Sequence, residues 1–168
     1  MKNILLIIFA TISSFCSAQS IKIVQLKNGG IFIESTSHNE LGQGLSIKLD
    51  NKSFYAGPTG KKTLIAGVQK AIEWAELNEQ HNKEFEKEIA RIRVMDKETF
   101  TFYKEFISQF SEECILNFYG YNNGNFKVIL EFPKSSTRIK LEDIGDLRNL
   151  KNILQGKSGN SEIDDIFK

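Results

Sequence analysis

The sequence predicts an α+β fold: small antiparallel β-sheets packed on a long central helix, with a second hairpin and a C-terminal helix. Three observations carry this. From Thr63 to Arg93 there is no proline, and Leu64, Val68, Ala71, Ala75, Asn78, Asn82, Phe85, Ile89 and Ile92 recur at alternating fours and threes. That spacing lines up one face of a helix. Ahead of it lie short β-branched runs split by turn residues, and behind it Asn123-Gly124 joins two β-rich runs.

The chain opens with Met1-Lys2-Asn3, then the apolar run Ile4 to Ala10, then small and polar residues to Ala18. A basic start, a short apolar run and small exit residues predict a secretory signal peptide over 1–18. The run is too short for a permanent membrane span. Lipidation at Cys16 is the alternative, although Phe15 stands where a lipoprotein signal wants a small residue. Cleavage after Ala18 leaves 150 of the 168 residues, read as one domain over 19–154 and a flexible tail over 155–168. It also removes Lys2, leaving 21 basic against 21 acidic residues, so bulk charge points to no nucleic-acid partner. No later run is apolar for long enough to be an integral membrane segment. Cys114 is then the sole cysteine, and no internal disulfide is expected.

Ile21 to Leu26 and Ile31 to Glu34 read as strands around an Asn28-Gly29 turn, which sets Leu26 against Ile31 and Val24 against Ile33. A polar loop from Ser35 to Gly44 holds His38. Leu45, Ile47 and Leu49 alternate with polar residues, and Asn51-Lys52 turns into a short strand over Ser53–Ala56. The link from Gly57 to Thr63 sits where a phosphate loop would. It departs from that pattern, because Tyr55 replaces the first glycine and Lys62 follows Lys61 in place of Ser or Thr. It reads as a strand-to-helix turn, with a weak anion site at Lys61 and Lys62 as the sharper option.

A helix of that length would be roughly 45 Å long. Ile65, Ile72 and Trp74 broaden its first half; Asn78 and Asn82 interrupt the middle; Phe85, Ile89 and Ile92 leave a narrow seam. Two readings stay open: a single helix with a solvated middle, or a self-associating helix in which Asn82 sets the register.

Asp96 suits the cap of a helix from about Lys97 to Phe110, striped by Phe102, Phe106 and Phe110. Alternation of Phe100 with Phe102 is the competing strand pattern. Cys114–Tyr121 and Asn125–Phe132 form a hairpin. A two-residue turn at Asn123-Gly124 pairs Tyr121 with Phe126, Tyr119 with Val128, Asn117 with Leu130 and Ile115 with Phe132, all on one core face. Tyr119, Tyr121 and Phe126 are the candidate binding residues. If open to solvent they can stack on sugar rings or a partner's side chain; if covered they are core. Thr137–Leu141 gives a strand. Leu141, Ile144, Leu147, Leu150 and Leu154 give a last helix that Gly156 can close. The tail ends in apolar residues among acids, Ile163-Asp164-Asp165-Ile166-Phe167, a docking peptide or a frayed end.

No catalytic, cofactor-binding or metal residue is assigned. His38 and His81 lack a partner at ligand spacing, and no Gly-x-Ser-x-Gly elbow occurs. A Cys114–His38 pair would have to be assembled by the fold. Glu112-Glu113 and Glu142-Asp143 read as turns and helix starts. The expected function is a non-enzymatic interaction module of the bacterial envelope or exterior, with no cofactor, partnered by another envelope protein or by itself. The alternative is a small secreted hydrolase with a spatially assembled carboxylate or Cys–His site.

Overall fold

The computed structural model describes residues 20–21, 31–36, 44–49, 52–132 and 138–155. Among these residues eight strands lie side by side in the order of the chain. They are β1 (Ser20–Ile21), β2 (Ile31–Thr36), β3 (Leu45–Leu49), β4 (Lys52–Ala56), β5 (Phe85–Asp96), β6 (Ser111–Gly120), β7 (Phe126–Glu131) and β8 (Arg138–Leu141). Every neighbouring pair is antiparallel. Helices α1 (Pro58–His81) and α3 (Ile144–Leu154) cover one face and enclose the main core. The short α2 (Lys97–Tyr103) lies against the other face. The α+β architecture and the central helix are therefore as expected. The signal over 1–18 with Cys16, the Asn28-Gly29 turn with Val24 and Leu26, His38, Gly156 and the tail beyond Gln155 lie outside the described residues.

Helix α1 starts five residues before Thr63, with Pro58 in its first turn and Gly57 as cap. Proline is well placed there, since its missing N–H would have no intrahelical acceptor. Leu64, Val68, Ala71, Ile72 and Ala75 are buried against the sheet. A side chain the size of Leu64 contributes about 1.5–3 kcal/mol on full burial. At Gly67 a Cβ would meet Leu116 Cδ2 at 2.9 Å and the Ala90 Cβ at 3.4 Å, so the helix lies directly on β5 and β6.

The helix does not run to Arg93. It ends at His81, where Asn82 turns left-handed (φ 52°) and its N–H donates to the Asn78 carbonyl. The seam of Phe85, Ile89 and Ile92 belongs to β5. A bulge between Glu88 and Ala90 adds one residue to that strand. Phe85, Ala90, Ile92 and Val94 thus all point towards α1, while Arg91 and Arg93 point away. A strand of period two with one extra residue shows intervals of four and three and so imitates a helix. Asn82 is accordingly a cap, not the register residue of a coiled coil.

The hairpin is present, but β6 is shifted by one. Gly120 pairs with Phe126, Phe118 with Val128 and Leu116 with Leu130. Three residues, Asn122 to Gly124, form the loop. Gly124 is left-handed (φ 80°), its N–H donates to the Tyr121 carbonyl, and the Tyr121 N–H donates to the Asn125 carbonyl. This is a turn followed by a bulge glycine, not a two-residue turn. A shift of one residue flips every side chain of one strand. The core face of β7, with Phe126, Val128, Leu130 and Phe132, stands as expected. On β6 it is Cys114, Leu116 and Phe118 that are buried, not Ile115, Asn117, Tyr119 and Tyr121.

The expected helix over 97–110 is half its length. Asp96 caps it through the N–H groups of Glu98 and Thr99. Left-handed Lys104 (φ 56°) stops it, and a 3-10 turn over Ser108–Phe110 leads into β6. Phe100, not Phe102, is the buried ring, stacked on Tyr55 at 3.7 Å between ring centres. Helix α3 is found where expected, capped by Asp143, whose Oδ1 accepts from the Asp146 N–H at 3.1 Å.

Candidate functional site

Asn78 organises the end of the molecule where α1 stops. It is buried at 2% exposure. Its Nδ2 donates to the carbonyls of Tyr121 (3.0 Å) and Asn125 (2.8 Å), and its Oδ1 accepts from the Lys83 N–H at 3.1 Å. One side chain therefore ties the helix end to both sides of the β6–β7 loop and to the start of β5. The sequence shows Asn78 only as an interruption of an apolar stripe.

Beside this anchor, Trp74 packs edge-on against Phe85 (6.0 Å) and Phe118 (5.7 Å). The ammonium groups of Lys70 and Lys87 sit 4.9 and 5.5 Å from its ring centre. Leu77, one turn further, is half exposed. Trp74, Leu77, Asn78, His81, Lys83, Phe85 and Lys87 line an open cleft of about 380 Å³, apolar in its floor and cationic at its rim.

The three predicted binding residues are not brought together. Tyr119 and Tyr121 lie on the side of the sheet away from α1, around Lys127, whose Nζ is 5.3 and 5.8 Å from their rings. Burial, followed by its hydrogen bond to Glu86 on the neighbouring strand, pushes the Tyr119 phenol up. The hydrogen bond to Tyr121 pushes Lys127 up. Phe126 is on the opposite side, stacked on Phe118 at 5.8 Å in the core.

A second aromatic group was hidden by the helix expected over 97–110. Phe102, Tyr103 and Phe110 are 80%, 44% and 44% exposed. They pack on one another, Tyr103 lying 5.0 Å from Phe102 and 5.2 Å from Phe110 between ring centres. Phe100, Phe106 and Ile107 of the same segment turn inwards to Tyr55 and Met95. The visible cue was the density of aromatics between Phe100 and Phe110; which ring faces outwards depends on where the helix stops.

Polar groups converge at one further cleft, of about 320 Å³, where Glu79, Glu142 and Asp143 surround Asn123 and Asn125. Asp143 is committed there to capping α3. No group of three or more metal-ligating side chains occurs among the described residues. Cys114 is 1% exposed on the core face of β6, where burial first and the nearby Glu131 second push its thiol well above the usual range. A buried protonated thiol is a poor nucleophile. Lys61 sits at the start of α1, lowered by burial. No described helix is long and apolar enough to cross a membrane. The chain matches no known protein-family model, no curated protein and no solved structure.

Proposed function

We propose that this is an exported, non-enzymatic interaction module that holds a protein partner of the bacterial envelope through Phe102, Tyr103 and Phe110. The observation that carries this is the three-ring platform. Aromatic side chains dominate interface energetics, and a solvated cluster of them on a well-packed fold marks a contact surface. Its rigidity is supported by what lies beneath: Phe100 and Phe106 anchor the same segment to Tyr55. Export is supported by the basic, apolar and small-residue succession of Met1 to Ala18. The polar cleft around Glu79 and Glu142 supports the second reading, a small hydrolase using two carboxylates.

A photoreactive residue placed at Phe102, and at exposed Glu73 as control, tests the first in living cells. The expected result is a defined adduct from position 102 and none from 73. With the photoreactive residue kept at position 102, the pair Tyr103→Ser and Phe110→Ser should abolish it while leaving the melting temperature unchanged. Equal labelling at both positions, or no adduct at all, overturns the proposal. Hydrolysis of a model ester or glycoside that is lost in Glu79→Gln or Glu142→Gln would favour the second reading.

A further inference from the structure

The Trp74 cleft specifies its occupant by its chemistry. The floor of Trp74, Leu77 and Phe85 accepts an apolar side chain. The rim carries Lys83 and Lys87, and Lys70 stands over the Trp74 ring; none of the three pairs with a carboxylate among the described residues. A segment that alternates apolar and acidic residues matches both. The chain contains one, Glu162-Ile163-Asp164-Asp165-Ile166-Phe167, within the 13 residues that follow Gln155.

The placement of α3 brings that segment within range. Arg148 binds Glu76 at 2.8 Å and Lys151 binds Gln69 at 2.5 Å, so α3 runs antiparallel to α1 along one flank and ends towards the start of α1. The cleft is on the other flank. From Gln155 the chain must return along roughly 18 Å of α1 and cross a helix about 10 Å wide. Extended, the nine residues from Gly156 to Asp164 can span about 30 Å, enough for that path, which leaves Asp165, Ile166 and Phe167 within reach of the cleft.

We propose that residues 164–167 of the chain's own C-terminal tail dock in the Trp74 cleft, with Ile166 and Phe167 against Trp74 and Leu77 and the carboxylates of Asp164 and Asp165 facing Lys70, Lys83 and Lys87. This goes beyond the partner-binding platform at Phe102, which lies at the far end of the β5–β6 ladder. It makes the cleft an internally occupied site that a competing acidic and apolar peptide can open.

Trp74 is the only tryptophan of the chain, so its fluorescence reports the cleft directly. The full chain is compared with its Ile166→Asp, Phe167→Asp variant, whose changes lie outside the described residues. The expected result is a red-shifted emission in the variant, reversed by a synthetic peptide of residues 160–168. The peptide should have no effect on Lys87→Glu combined with the same tail changes. Leu77→Ser, at an exposed position, is a second cleft variant should Lys87→Glu lose its circular dichroism. Identical emission from full chain and tail variant, with no response to the peptide, overturns the proposal. So does a shift that appears only as protein concentration rises, which would assign the tail to a second copy.

Discussion

Asn78 carries three backbone groups on one side chain. Its three hydrogen bonds hold both sides of the β6–β7 loop and the segment that leads into β5. Asn78→Ala removes the partner of these part-buried groups, and we expect a loss of about 1–3 kcal/mol in urea unfolding. Cys114 sets a pH dependence. Unfolded, its thiol ionises near 9.0; folded, burial keeps it protonated to higher pH. The raised folded value means that the contribution is complete below pH 9 and is lost as pH rises towards the folded value. Between pH 9 and 10 stability should fall by about 1 kcal/mol from this group. Cys114→Ala should be less stable at pH 7 but show a shallower slope, as melts across that range will reveal. At this scale the sequence was legible where chemistry is local. Asp96 and Asp143 stand before their helices and cap them. Asn78 was not legible, because two of its three partners, Tyr121 and Asn125, lie more than forty residues away.

At the scale of elements, the strands around Leu45–Leu49 and Ser53–Ala56 and the last helix could be read from period alone. Two elements could not, each because a single residue changes the period. The bulge in β5 converts a two-residue repeat into fours and threes, which is a helical signature. The odd loop after β6 flips that strand, which placed Tyr119 and Tyr121 on the wrong side and separated them from Phe126. Nothing in Asn-Asn-Gly-Asn tells a two-residue turn from a three-residue one. Gly124 is the local determinant, being left-handed with a would-be Cβ only 2.7 Å from Asn82 Oδ1. Gly124→Ala is expected to cost about 1–3 kcal/mol, measured by urea titration. Gly67→Val should cost about 1–3 kcal/mol by pushing α1 off Leu116; a crystal structure or a loss of melting temperature would show it.

Across the whole molecule the sheet is unevenly tied. Among the described residues β4 and β5 share two paired positions, Phe54 with Asp96 and Tyr55 with Met95, whereas β5 and β6 share ten. Amide exchange is therefore expected to be faster in β3 and β4 than in β6 and β7, since local opening follows the weakest seam. The α+β class was legible at this scale, because it needs only runs and their periods. The exposed platform of Phe102, Tyr103 and Phe110 was not, since exposure is a property of the finished surface. The spatial order of the strands, identical with their order in the chain, has a consequence for synthesis. As the polypeptide emerges N-terminus first, each new strand adds to the free edge of those already made. β5 waits until α1 has been completed and folded back, and β6 until the segment from Lys97 to Phe110 has followed. No finished pair ever has to be pried apart to admit a latecomer, and an edge that awaits its next strand is left unpaired for the shortest time.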